Sequence, residues 1–125
     1  MAYDEGFVQS DTGAENERKY WRKREVVHHI VLWNLNKDLS EQEKKEAALT
    51  IKEKLEAVKD EVEGVVSLHV EINELPSSNK DIGLISVFES VEALNAYQKH
   101  PAHVQAGAYV GSVTYGRTCL DYTEK

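Results

Sequence analysis

A chain of 125 residues, 41% hydrophobic and 30% charged, has room for one core and the composition of an ordinary globular domain. Its net charge of −7 argues against a general nucleic-acid binder, which presents a basic surface, and no apolar run approaches the ~18 residues that span a bilayer. The acidic opening Met1-Ala2-Tyr3-Asp4-Glu5 lacks the apolar stretch of a secretory signal and the single Cys119 forms no internal disulfide, so a reducing cytoplasm is the expected location.

Residues 1–25 read as an appendage, with a helix expected over 14–24. The cluster Arg18-Lys19-Tyr20-Trp21-Arg22-Lys23-Arg24 resembles a phosphate-binding arm, but Asp4, Glu5, Asp11, Glu15 and Glu17 offset its five positive charges. Packing of Tyr20 and Trp21 on the domain or on a partner subunit is the simpler expectation. The domain proper is expected over 26–123.

Within it, residues 26–35 alternate as a strand: Val27, His29, Val31, Trp33 and Leu35 on one face, Val26, His28, Ile30 and Leu32 on the other. Both faces are largely apolar, so both require cover. Ser40 followed by Glu43 is a capping box, and Ala48, Ile51, Leu55, Val58 and Val62 form a buried helical stripe that Gly64 is expected to stop. Residues 65–75 read as a second strand, with Val66, Leu68, Val70 and Ile72 opposite Ser67, His69, Glu71 and Asn73. A turn over 76–80 returns the chain as a strand over 81–88. Ser90 caps a second helix, in which Val91, Leu94 and Tyr97 share a face and Tyr97 looks inward. A short helix over 101–111 and a strand over 115–122 follow, with Cys119 expected as a buried, inert thiol.

The order strand, helix, strand, strand, helix, strand is the split βαβ arrangement. It predicts an α+β, ferredoxin-like fold, a four-stranded antiparallel sheet with its main helices on one face. A second copy of the sheet is the simplest cover for the other face, giving a homodimer built as an α/β barrel.

Chemistry concentrates in Tyr97-Gln98-Lys99-His100-Pro101-Ala102-His103. Proline disfavours helical geometry in the residue before it and suits the first turn of a new helix, so one helix ends near His100 and another begins at Pro101. His103 then sits in a first turn, where the helix dipole opposes protonation, and a neutral base is expected near pH 7. His100, at a helix C-terminus, is expected as a favoured cation or a solvated cap. No metal site is expected: His100 and His103 have a ligand-like spacing, but Pro101 breaks their helix and no cysteine or HExxH pattern completes a set.

Three signatures, His29-Ile30-Val31-Leu32-Trp33, Phe88-Glu89-Ser90-Val91-Glu92-Ala93-Leu94 leading into Tyr97, and His100-Pro101-Ala102-His103-Val104, with the closing Asp121-Tyr122, resemble the stress-responsive dimeric α/β-barrel (Dabb) family. The resemblance covers about 26–122. It implies a sheet-to-sheet dimer with a cavity between sheet and helices in each protomer, in a family most of whose members have no established reaction. In one plant branch, the olivetolic acid cyclase type, a linear polyketide is closed by aldol condensation. There the residue matching His103 is the general base, the one matching Tyr97 assists it, and the one matching His29 lines the pocket. This chain departs from the plant cyclases at Gln105-Ala106-Gly107-Ala108, Gly111 and Thr114, where they carry bulkier residues.

The resulting expectations are His103 and Tyr97 as catalytic residues, His29, Val31, Trp33 and His100 as ligand-binding residues, and no cofactor. The expected partners are a second copy of the chain and a small apolar or polyketide-like ligand. Three roles stay open: a ligand-binding dimer without turnover, a cofactor-independent cyclase-like or monooxygenase-like enzyme with His103 as base, and a heat-resistant assembly.

Overall fold

The computed structural model describes residues 25–124; the expected appendage helix, its basic cluster and the Trp21 contact lie outside the described residues. Four strands, β1 (Val27–Leu35), β2 (Val65–Ile72), β3 (Ile82–Phe88) and β4 (Thr114–Thr123), form one antiparallel sheet in the order β2-β3-β1-β4. Three helices, α1 (Glu41–Val58), α2 (Val91–Lys99) and α3 (Pro101–Val113), pack on one face. This is the expected ferredoxin-like architecture.

The core lies between that face and the helices. Val27, Val31, Trp33 and Leu35 of β1 meet Leu84 and Phe88 of β3, Leu68 and Val70 of β2, and the α1 stripe Ala48, Ile51, Leu55 and Val58. Ser40 and Glu43 form the capping box at the start of α1. On the opposite face Ile30, Leu32, Ile85 and Val87 are half-buried, and Leu120 and Tyr122 stay 59% and 44% exposed. No helix of the described residues covers that face.

Several expectations are corrected by local chemistry. Helix α1 ends at Val58, well before Gly64, because the acidic run Asp60, Glu61 and Glu63 opposes the negative end of the helix dipole. Gly64 instead ends the turn that leads into β2, with φ +87°, close enough to α2 that an added Cβ would lie 2.6 Å from the Ala93 Cβ. A register shift between Val65 and Ser67 leaves Val66 exposed rather than in the core row. Strand β2 stops at Ile72, after which the Asn73 side chain accepts the Leu75 N–H at 2.9 Å and turns the chain. Cys119 is exposed rather than buried, because β4 is an edge strand.

Both edges of the sheet are managed. At β2, Val70 turns its free backbone groups towards α1, where Glu56 accepts its N–H at 2.9 Å and Lys52 donates to its carbonyl at 2.9 Å. Lys52 and Glu56 also pair with each other at 2.8 Å. Burial would raise the Glu56 carboxyl pKa, but the Lys52 ammonium and the Val70 N–H outweigh it and hold the group below its ordinary value. In β4, Gly116 forms a bulge with φ +67°, and Lys80 donates to its carbonyl at 2.5 Å.

Candidate active site

Helix α3 stands off the sheet and leaves a partly open cavity of about 250 Å³. Its sheet wall is His29, Val31 and Trp33 of β1 with Leu84 of β3, and its helical wall includes Leu55 and Tyr97. His103, Gly107, Val110 and Gly111 face it from α3, at spacings of four, seven and eight residues that fall on one helical face. The two glycines keep it open, since a Cβ at either would meet no atom within 4 Å. Arg117 of β4 completes the lining. A larger depression of about 420 Å³ beside the β2–β3 loop is wide open to solvent and contains neither imidazole nor thiol.

Tyr97 is fully buried, and its hydroxyl has no hydrogen-bond partner among the described residues. Burial raises its pKa to about 12, so at neutral pH the phenol is a protonated donor facing empty space. An unpaired buried hydroxyl costs roughly 1–3 kcal/mol, a cost that a bound acceptor would relieve. The ring is held by Phe88 at a centroid distance of 4.8 Å and by His103 at 4.5 Å.

His103 Nδ1 lies 3.2 Å from the Gln98 carbonyl oxygen. A carbonyl only accepts, so Nδ1 carries the proton and the lone pair of the neutral ring sits on Nε2. Burial is the main force lowering the His103 pKa; the Gln98 carbonyl opposes the shift, and the nearby charges of His29 and Arg117 add to it. The expected neutral histidine is therefore present, with desolvation rather than the helix dipole as its principal cause.

His29 is almost fully buried, and its Nδ1–H donates to the Asp121 carboxylate at 2.5 Å. Asp121 also accepts from the Cys119 thiol at 3.5 Å. Burial and the Asp121 charge raise the Cys119 pKa, so the thiol stays protonated although exposed. Ligand atoms of His29, Cys119 and Asp121 lie within 4.8 Å of one another, a donor set of mixed N, S and O character. The nitrogen and oxygen are too close to share an ion, because zinc's bond lengths put two tetrahedral ligands about 3.3 Å apart. The two are hydrogen-bonded to each other instead.

Of the residues expected at the site, His29, Val31, Trp33, Tyr97 and His103 come together around the cavity. His100 does not. Its Nδ1 accepts the Ala102 N–H at 3.0 Å as the N-cap of α3, and it borders a separate surface depression with Lys54 and Glu61. Its side chain therefore caps the start of α3, rather than serving the carbonyl end of α2. Arg117 and the two glycines were not anticipated. The glycines repeat the His103 face at helical spacing, and Arg117 has the same strand parity as Cys119 and Asp121, so both signals lie in the sequence.

The family model described as the stress responsive A/B barrel domain matches residues 27–124. A dimeric protein of unknown function with a ferredoxin-like fold from Bacteroides fragilis superposes with TM-score 0.75 and 31% identity, over 79% of this chain and 96% of that one. A Dabb family protein from Mesorhizobium loti matches with TM-score 0.63 and 19% identity, over 81% of this chain and 98% of that one. The hydroxynitrile lyase of Passiflora edulis shares the fold, with TM-score 0.65 and 14% identity over 82% of this chain and 95% of the lyase. No curated protein matches the sequence.

Proposed function

The chain belongs to the stress responsive A/B barrel domain family, and on that footing we propose that it is a homodimer whose protomer cavity binds a small carbonyl compound and moves a proton at the carbon beside the carbonyl. His103 Nε2 takes the proton and Tyr97 donates a hydrogen bond to the enolate oxygen that develops. His29, fixed by Asp121, forms the polar end of the sheet wall. Val31, Trp33, Leu55, Leu84 and Val110 lower the polarity of the wall around them and strengthen both interactions.

The observation that carries this reading is the buried, unpartnered Tyr97 hydroxyl beside a neutral His103 with its lone pair on Nε2. A purely structural pair would have satisfied the phenol within the fold. The cavity's size favours a compact ligand. At about 250 Å³ it lies below the ~300 Å³ lower end of drug-sized pockets, which argues against the long polyketide chain of the plant cyclase type.

The half-exposed apolar row Ile30, Leu32, Ile85, Val87, Leu120 and Tyr122 supports a sheet-to-sheet dimer, the state named for the Bacteroides relative. The test of the chemistry is deuterium uptake at C3 of pentane-2,4-dione in D2O. The wild-type protein is expected to accelerate it above background, while His103→Ala and Tyr97→Phe, both still folded, lose at least about tenfold of the excess. Full activity in both variants would refute the assignment.

A further inference from the structure

Arg117 is the one cationic side chain of permanent charge in the cavity lining, and it has no carboxylate partner among the described residues. It is also their only arginine. The carboxylate on the same strand face, Asp121, is engaged by His29 and Cys119 instead. Arg117 sits beside the Gly116 bulge, in the register shift between the Leu32–Thr118 and Asn34–Tyr115 pairs, and shares the cavity lining with Trp33. The bulge is pinned by Lys80, which gives the strand a fixed bend next to the guanidinium.

We propose that Arg117 makes this cavity a site for a small oxo-carboxylic acid. The guanidinium holds the carboxylate, the Tyr97 hydroxyl takes the ketone oxygen, and a carbon beside the ketone faces His103. This rests on the proton-transfer reading above and adds the class of substrate. A planar guanidinium matches a carboxylate in a two-pronged hydrogen-bonded pair, where an ammonium acts only as a point charge. Arg117 stands at the exposed side of the cavity and is the one permanent charge in a lining whose other polar groups, His29, Tyr97, Gln98 and His103, carry none, so that pair selects an anion over its neutral isostere.

Volume sets the size. About 250 Å³ is the space of roughly eight liquid waters at ~30 Å³ each, which suits an acid of a few carbons. The step is balanced within the site. The C–H bond breaks, its proton goes to His103 Nε2, its electron pair forms the enolate C=C bond, and the carbonyl π electrons move to the oxygen facing Tyr97. Return of the proton restores the ketone.

The probes are 2,4-dioxopentanoate and its methyl ester, compared by calorimetric titration and by deuterium exchange at C3. Wild-type protein is expected to bind the acid at least about tenfold more tightly than the ester. Arg117→Gln should erase that preference by weakening acid binding at least about tenfold more than ester binding, while ester exchange changes only as far as loss of the Arg117 charge makes His103 more basic, and Arg117→Lys should keep part of the preference. Retained ester binding and an unchanged circular dichroism spectrum report that the variant is folded. Equal weakening of acid and ester in Arg117→Gln, or no preference in wild type, overturns the oxo-acid assignment. If His103-dependent exchange of the ester persists in that case, the proton-transfer reading survives. If wild-type protein neither binds nor exchanges either probe, both readings fall.

Discussion

His103 and Tyr97 each carry a pH signature that follows from burial. The His103 pKa is depressed below its ordinary 6.5, so on acidification the unfolded chain binds a proton first and the native state loses stability as pH falls below about 6.5. His103→Gln should flatten that slope in urea titrations run between about pH 5 and 8, and an unchanged slope would assign it to another group. For Tyr97 the sign is reversed. Its pKa is raised from 10.0 to about 12, so the unfolded chain loses its proton first and stability falls as pH rises above about 10. Tyr97→Phe should remove that alkaline limb and, by deleting an unpaired buried hydroxyl, stabilise the neutral protein by about 1 kcal/mol. A destabilised Phe variant would mean that the hydroxyl has a partner after all.

Helix α3 places two glycines where helical propensity disfavours them by about 1 kcal/mol each relative to alanine. Both face empty space, so their value lies in the volume that they leave. Gly107→Leu should fill the cavity and abolish ligand binding and exchange while the melting temperature holds or rises; retained binding would mean that the ligand sits elsewhere. The Lys52–Glu56 clip on β2 makes the complementary case. Glu56→Ala should cost about 1 kcal/mol through loss of the Val70 N–H bond, measured by urea unfolding. The elements themselves were legible because each has a local cause: alternation in β1, the Ser40 capping box, the Ser90 cap and the His100-Pro101 break. The α1 terminus and the burial of Val66 were not. Both depend on effects that periodicity does not carry, an acidic run against a helix dipole and one extra residue in a strand. At the site, helical facing and strand parity brought Tyr97 inward and set His29 beside Val31 and Trp33. The role of His100 turned on which of two helices its side chain caps, and composition is silent on that.

Across the whole molecule, one face of the sheet builds the cavity and the other leaves an apolar row that calls for a second copy. Leu120, 59% exposed in the isolated protomer, is the most informative probe. Leu120→Glu should shift the protein from dimer to monomer in light scattering, since an unpaired carboxylate buried between sheets costs several kcal/mol. A dimer that tolerates the change would place the interface elsewhere. The two faces share β1, so a dimer that rigidifies this strand also steadies His29, Val31 and Trp33 in the cavity wall. The account's central claim is that His103 presents a lone pair on Nε2 to a ligand in this cavity. Nitrogen-15 spectra of the histidine-labelled protein, recorded before and after addition of pentane-2,4-dione, measure that directly. The account predicts a neutral His103 near pH 7 with the proton on Nδ1, and a protonated Nε2 once the dione is bound as its enolate. A proton on Nε2 in the free protein, an imidazolium at neutral pH, or a His103 signal indifferent to the dione would contradict it.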